Sequence, residues 1–197
     1  MRLLVRCHLA VILVAALLVS VKSIGQETPP DTLQIEVVRD SGAQTAGPLF
    51  KVEMRNKTNH PLILYLGLNV GGKDYAGEIK FSLTDVNGRV HHLVKRDPAY
   101  IAGRMGAYSV TLPVGGTFEL PAIDLEDYWS YEPKIAALEL PAGRYSLSAE
   151  YTGHNPNDDF TIEKGKPPFH EIFWIGTVHS GTLQFELALP MSYKDKR

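Results

Sequence analysis

Residues 140–151 read LPAGRYSLSAEY, and this stretch predicts the fold. Pro141 and Gly143 are turn-forming residues, and the segment after them places an apolar side chain at every second position. Such period-two alternation is typical of a β-strand with one face in the core and the other in solvent. We therefore predict a sharp corner that leads into a half-buried strand. Its buried positions are Tyr145, Leu147, Ala149 and Tyr151.

The same alternation recurs along most of the chain, with Gly, Pro and Asn between the runs. No long run has apolar residues at helical spacing, although 124–140 has room for a helical turn. About eight or nine short antiparallel strands with turn signals between them predict an all-β, immunoglobulin-like sandwich. The predicted strands are 33–38, 50–54, 61–66, 79–83, 90–94, 108–112, 117–120, 144–151 and 182–189.

Asn87 and Gly88 lie between two strand-like runs, within the segment DVNGR. Both residue types tolerate the positive φ angles of a type I′ turn, which makes this the strongest hairpin signal in the sequence. We predict a hairpin that pairs 79–83 with 90–94. Longer connections are predicted at 67–77, 95–107, 121–143 and 153–168.

The Leu-Pro-x-Gly-x-Tyr corner resembles the penultimate strand of immunoglobulin-like and fibronectin-III-like bacterial domains. In such domains the tyrosine ring folds into the core and its hydroxyl binds the backbone at the corner, a role that the resemblance implies for Tyr145. The ending of the chain looks like that of a family of secreted bacterial proteins of unknown role, in which a Trp-x-Gly segment precedes a final strand entered through Ser. This resemblance implies that Trp174 packs over the sandwich edge, that Gly176 permits the bend after it, and that Ser180 leads into the last strand.

The first 25 residues have the layout of a secretory signal peptide. Arg2 and Arg6 precede an apolar run from Leu9 to Val19, which is shorter than the ~20 residues that a membrane-spanning helix needs. We expect cleavage near Gly25, with Ser23 as the alternative, and release to the periplasm or the extracellular space without stable membrane insertion. The predicted division is a signal peptide over 1–25, a short linker over 26–31, one sandwich domain over 32–190 and a polar tail over 191–197.

The only cysteine, Cys7, lies in this predicted signal peptide. The mature chain would have no thiol, which excludes cysteine catalysis, thiolate metal sites and the core disulfide of antibody-type domains. Removal of 1–25 lowers Lys plus Arg from 20 to 17 against 22 Asp plus Glu, so the net charge changes from -2 to -5. A mildly acidic chain disfavours nucleic acid and anionic lipid as partners, because both need a basic patch.

Aromatic residues cluster in the predicted connection over 121–143, where Tyr128, Trp129 and Tyr131 lie close together. Flat rings on sandwich loops stack on sugars or anchor a protein partner, because they bury a large area at little entropy cost. We interpret these three residues as a candidate ligand-binding site. The alternative is that Trp129 caps an open end of the core.

Candidate metal ligands are His154, His170 and His179. A bend at Gly176 could bring His170 and His179 together, and zinc would still need further ligands from His154 or Glu171. The weak alternative function is therefore a metal-dependent site around these histidines.

Two other groupings match metal sites less well. His91 and His92 are adjacent in a strand, so their side chains leave opposite faces and cannot bind one ion together. Asn155, Asn157 and Asp159 have the spacing of an EF-hand loop, but a Phe and a Lys stand where the Gly and the bidentate Glu belong.

The sequence contains no catalytic motif. Ser180 lies beside His179, but neighbours along a strand point apart, and there is no Gly-x-Ser-x-Gly elbow. The acids at 124–127 lie in an apparent open loop, which lacks the apolar pocket that glycoside cleavage requires. We predict a secreted, non-enzymatic module without a cofactor that acts in protein binding or in envelope or extracellular assembly. The main alternative is a carbohydrate-binding module that uses the loop aromatics.

Overall fold

The structure, a computed structural model, describes residues 32–40, 48–95, 104–131, 135–158 and 171–191. These residues form antiparallel β-sheets with two short 3₁₀ turns, so the fold is all-β as predicted. The 3₁₀ turns are Leu125–Asp127 and Pro156–Asp158. The strands are β1 (Leu33–Asp40), β2 (Leu49–Asn56), β3 (Leu62–Val70), β4 (Lys73–Tyr75), β5 (Ile79–Thr84), β6 (Val90–Lys95), β7 (Met105–Leu112), β8 (Thr117–Asp124), β9 (Tyr128–Tyr131), β10 (Ile135–Ala137), β11 (Gly143–Gly153), β12 (Gly176–His179) and β13 (Leu183–Leu187).

The strands form three sheets, which we label A, B and C. Sheet A has the order β1-β2-β8 and sheet B has the order β4-β3-β7. Sheet C has the order β10-β9-β6-β5-β11-β12, and β13 pairs with β11 beside β12. Strand β2 is followed along the chain by β3, and β7 is followed by β8. Because β2 pairs with β8 and β3 pairs with β7, sheets A and B continue one another across a bend. Strand β1 of this bent layer packs against β11 and β12 of sheet C, an arrangement consistent with a sandwich.

Asn56 holds the bend between sheets A and B. Its side chain is fully buried, and its Nδ2 donates to the carbonyl oxygens of Leu112 at 3.1 Å and His60 at 2.8 Å. Its Oδ1 accepts from the Thr58 amide at 2.9 Å and from the Thr58 hydroxyl at 2.7 Å. A buried amide must find such partners, because an unsatisfied polar group in the core is costly. The turn-forming residues after β2 therefore encode a fixed bend.

One hydrophobic cluster joins the inner faces of the three sheets. It follows the period-two pattern of the sequence, so β11 buries every second residue while the residues between them are partly exposed. Its largest fully buried side chains include Tyr145, Tyr151 and Phe50.

The corner before β11 has the geometry that the sequence predicts. The Tyr145 hydroxyl donates to the carbonyl oxygen of Pro141 at 2.6 Å, and the ring stacks on Phe185 with centroids 5.6 Å apart. Gly143 has a φ of +153°, and a Cβ there would lie 2.3 Å from a methyl group of Val86. The corner therefore packs directly against the β5–β6 turn.

Trp174 joins the end of the chain to both layers. Its ring stacks on Tyr151 with centroids 5.6 Å apart, and its amide donates to the carbonyl oxygen of Ile63 at 2.8 Å. Gly153 and Gly176 leave room for the ring, because a Cβ on Gly153 would lie 2.5 Å from it and one on Gly176 would lie 3.0 Å from it.

The β5–β6 hairpin is present, but the type I′ turn predicted for it is wrong. Gly88 has a φ of +78°, whereas no described non-glycine residue has a positive φ, so Asn87 is not left-handed. The Asp85 carboxylate instead accepts from the amides of Asn87 at 2.8 Å and Arg89 at 3.0 Å. This side-chain cap fixes a wider turn with a single left-handed glycine.

Two predicted connections contain strands that the sequence pattern does not reveal. The segment 67–77 holds the end of β3 and all of β4, and 121–143 holds β9 and β10. These strands are only three or four residues long, so alternation within them carries little signal, and pairing with neighbours defines them. Most of the predicted loop at 153–168 lies outside the described residues.

Candidate functional site

The three clustered aromatic residues lie in strand β9, not in an open connection. Tyr128 points into the core, where its ring meets Phe81 edge-on with centroids 5.7 Å apart. Burial, with the charge of Asp127, raises the pKa of Tyr128 to about 12. Successive side chains of a strand leave opposite faces, so Trp129 and Tyr131 share the outer face of sheet C. Tyr128 is therefore removed from the candidate binding surface.

Trp129 and Tyr131 belong to an exposed apolar surface. Trp129 lies opposite Val94 of β6 and Ala137 of β10, and Tyr131 lies opposite Ile135. The exposed fractions are 53% for Tyr131, 51% for Ile135 and 41% for Val94. We call these five residues the β9 patch.

Apart from Val90 of β6, which is 42% exposed, the rest of this outer face is mainly polar. Strands β5, β11 and β12 complete the sheet beyond β6, and their outward positions carry hydroxyl and charged side chains. A confined apolar area on an otherwise polar face is typical of an interaction site. The polar outward residues are Lys80, Ser82, Thr84, Ser146, Ser148, Glu150, Thr152, Thr177 and His179.

Trp129 presents only apolar atoms to solvent. Its indole Nε1 is covered and has no hydrogen-bond partner among the residues that the structure describes. The alternation along β9 places Trp129 on the face of sheet C opposite to the buried Tyr128 and Ser130, and that it caps an open end of the core stays an alternative. The ring is an apolar element of the outer face.

The candidate metal ligands do not converge in the described part of the chain. His179 lies opposite Glu150 in the β11–β12 ladder, and its Nδ1 is 3.4 Å from a carboxylate oxygen of that residue. His154 lies four residues after Glu150, which places it about 13 Å from Glu150 at the rise of a strand. Its Nδ1 is 3.4 Å from Glu78, and its ring meets Tyr65 edge-on.

His170 lies outside the described residues, so its predicted meeting with His179 stays a prediction. Among the described residues, no group of three His, Cys, Asp or Glu side chains has a geometry that could hold a metal ion. In the segment with EF-hand spacing, the Oδ1 of Asn155 accepts from the amide of Asn157 at 3.0 Å, and Asp159 lies outside the described residues. His91 and His92 contact Ser130 and Ser82 respectively, in agreement with their opposite faces.

Ser180 is used in strand pairing. Its amide donates to the Ala149 carbonyl at 2.8 Å, and its Oγ accepts from the Ala149 amide at 2.8 Å. The hydroxyl itself donates to the carbonyl oxygen of Gly181 at 2.7 Å. These bonds bridge the break between β12 and β13, as expected of a residue that leads into the last strand.

Sequence reasoning missed a hydrogen-bonded chain of Asp85, His91 and Ser130. The Oδ2 of Asp85 lies 3.1 Å from the Nε2 of His91, and the Nδ1 of His91 lies 3.0 Å from the Oγ of Ser130. Burial raises the pKa of the Asp85 carboxyl, but hydrogen bonds from His91 and from the amides of Arg89 and Asn87 outweigh it and lower that pKa overall. The turn segment DVNGR hinted at Asp85, whereas Ser130 comes from a strand distant in sequence.

A carboxylate, an imidazole and a serine hydroxyl in series resemble a nucleophile with its base. Ser130, however, is only 7% exposed, and it lies opposite the buried Leu93 on the inner side of sheet C. A nucleophile must reach a substrate carbonyl beside oxyanion donors. The chain of bonds instead ties the β5–β6 turn to β9, and so fixes the strand that carries the β9 patch.

Comparison with known proteins adds no family: no family model matches the chain, and no curated protein shows significant sequence similarity to it. The helical segments that the structure describes are short 3₁₀ turns, and none has the length or apolar character of a membrane-spanning helix.

Proposed function

We propose that this protein is a secreted, non-enzymatic, immunoglobulin-like β-sandwich that binds a protein partner through the β9 patch. The immunoglobulin-like assignment is supported by two packed antiparallel layers and by the Tyr145 corner. Secretion is supported by the sequence pattern of residues 1–25, which lie outside the described residues.

The observation that carries the binding function is the exposure of the β9 patch. Apolar side chains on a sheet face normally pack on a second layer, yet Tyr131 and Ile135 are more than half exposed. Aromatic anchors next to aliphatic side chains have the composition of a protein interface core. The patch is also held rigid from beneath by Ser130, which lies between Trp129 and Tyr131 in β9 and accepts or donates the hydrogen bond with His91. Rigid positioning favours affinity because little conformational entropy is lost on binding.

Site-specific photo-crosslinking tests this proposal. A photoreactive phenylalanine analogue at Tyr131 should capture a protein in the native envelope or culture fluid, and excess unmodified protein should compete for it. The matched control places the same analogue at Thr177, on the polar part of the same outer face. Equal capture from both positions, or equal competition by an Ile135→Lys variant, would count against the patch.

A carbohydrate ligand is the second candidate, because Trp129 and Tyr131 lie two residues apart on one face and sugars stack on such rings. The aliphatic neighbours and the covered indole Nε1 favour the protein partner, since sugar recognition also needs polar groups. Glycan-array binding that Trp129→Ala and Tyr131→Ala both abolish would support the carbohydrate function. Tyr128 is left intact in this experiment because it belongs to the core.

A further inference from the structure

Strand β1 forms one of the two edges of sheet A, and β8 forms the other. Strand β1 pairs with β2 over eight residues, and no described strand pairs with its other side. The edge strands β7 and β8 also have eight residues each, whereas β4 and β10 have only three, and among these edges we consider β1 because a cleft adjoins it. An edge strand presents unpaired N–H and C=O groups to which an extended segment of another chain can bind. A partner segment that binds the backbone of β1 would therefore adopt the conformation of a β-strand.

A cleft lies directly beside this edge. It has a volume of about 220 Å³ and lies between Glu36 and Val37 of β1 and residues 181–183, where β12 and β13 are separated. The Ser180 bonds hold that separation open, and a Cβ on Gly181 would meet nothing within 4 Å. Val37 points inward, so an added strand would direct its own inward side chains toward this cleft. Val37 and Leu183 give this cleft an apolar part, which an inward apolar side chain of moderate size can contact.

The carboxylates on the outer face of sheet A predict which residue of the added strand lies between those apolar side chains. Glu36 lies opposite Glu53, and Glu53 lies opposite Glu119, so three carboxylates form one row across β1, β2 and β8. Like charges directly opposite one another are destabilising, and opposite charges are stabilising. A strand added beside β1 extends this row by one position, next to Glu36. A Lys or Arg at that position would complement the row, whereas an antiparallel second copy centred on Glu36 would add a fourth glutamate.

We propose that the edge of β1 binds an extended segment of a partner protein by strand addition, with a Lys or Arg opposite Glu36 and an apolar residue on either side of it. This surface lies on sheet A and is separate from the β9 patch on sheet C. Two surfaces on different layers would let one molecule contact two partners, as an assembly module requires.

Peptide binding to the full mature chain tests the proposal. The probe is a short labelled peptide with a central Lys and alternating Val and Thr on both sides, titrated by fluorescence anisotropy. We expect binding that slows amide hydrogen exchange in β1, with at least about tenfold weaker binding when the central Lys is replaced by Glu. Methylation of the peptide backbone nitrogens should abolish binding, because strand addition needs those N–H groups.

The variant Glu36→Lys should reverse the preference, so that the Glu peptide binds more tightly than the Lys peptide. Glu139→Lys, on an exposed residue before β11, makes the same charge change elsewhere and should leave the preference unchanged. Binding that survives backbone methylation, or that responds equally to both variants, would show general charge attraction and overturn the proposal, as would no binding at all.

Analytical ultracentrifugation at increasing protein concentration tests whether a second copy of the chain binds at the β1 edge instead. A dimer that Glu36→Lys abolishes would identify a second copy at this edge and would also overturn the proposal. None of these outcomes concerns Tyr131 or Ile135, so failure here is distinguishable from failure of the β9 patch.

Discussion

The hydroxyl of Tyr145 donates a hydrogen bond to the carbonyl oxygen of Pro141 at 2.6 Å, across the corner that opens β11. Tyr145→Phe should lower the free energy of unfolding by about 1 kcal/mol, because it removes this partly buried bond, while the stacking on Phe185 remains. Urea denaturation measures the change. Tyr131→Phe is the control, since its side chain is exposed, and an equal loss in both variants would contradict the corner's role.

His91 should stabilise the fold without activating Ser130. His91→Ala removes both hydrogen bonds of its ring and leaves the Ser130 hydroxyl buried without this partner, so we expect a loss of roughly 1 to 3 kcal/mol. Ser130→Ala should cost less, because it removes one bond and a small group. A serine-directed fluorophosphonate probe distinguishes the structural role from a catalytic one: labelling of Ser130 that His91→Ala abolishes would show that the residue is a nucleophile.

Alkaline pH should destabilise the protein through its buried tyrosines. The pKa of Tyr128 is raised from 10.0 to about 12, so the folded state keeps a proton that the unfolded chain releases. Its contribution is therefore complete below about pH 10 and is lost as the pH rises toward 12. Burial and the charge of Glu78 raise the pKa of Tyr151 as well, which adds to the loss.

Tyr128→Phe should remove the part of this alkaline loss that belongs to Tyr128, roughly 2 to 3 kcal/mol between pH 10 and 12. Urea denaturation across this range, compared with the same series at neutral pH, measures it. An unchanged pH profile in the variant would show that Tyr128 does not titrate as its burial implies.

Glu53 is unfavourably placed between Glu36 and Glu119. Glu53→Gln should raise the free energy of unfolding by about 0.5 kcal/mol at low salt, because it removes two like-charge contacts. The gain should shrink in high salt, where exposed charges are screened. Lys51 offsets part of the repulsion through its 3.6 Å contact with Glu119. Glu53→Gln should therefore raise the free energy of unfolding more in a Lys51→Gln chain than in the unchanged chain.

Gly153 leaves space that the Trp174 ring occupies. A Cβ at this position would lie 2.5 Å from the ring and 2.6 Å from the Trp174 carbonyl oxygen, so Gly153→Ala should cost about 1 to 3 kcal/mol. Thermal unfolding measures the loss. Gly77→Ala is the matched control, because a Cβ there meets nothing within 4 Å, and a similar loss in both variants would refute the packing explanation.

How far the sequence could predict the candidate site depends on the distance between its parts along the chain. The sequence alone reveals the aromatic cluster, since Tyr128, Trp129 and Tyr131 lie within four positions. Their division between the two faces of sheet C follows only from the strand conformation of β9, which the sequence does not predict. The Asp85–His91 contact is local to one hairpin, whereas Ser130 reaches it only through the pairing of β6 with β9.

The sequence by itself determined the all-β class and the corner at Tyr145, because both rest on local physics: alternation of apolar side chains and turn residues next to a single tyrosine. Tertiary structure alone decided the β9 patch, the row through Glu36, Glu53 and Glu119, and the bond from His91 to Ser130. Each of these depends on the register between strands distant in sequence, and a shift of one residue would move every side chain to the other face. Packing of the whole core fixes that register.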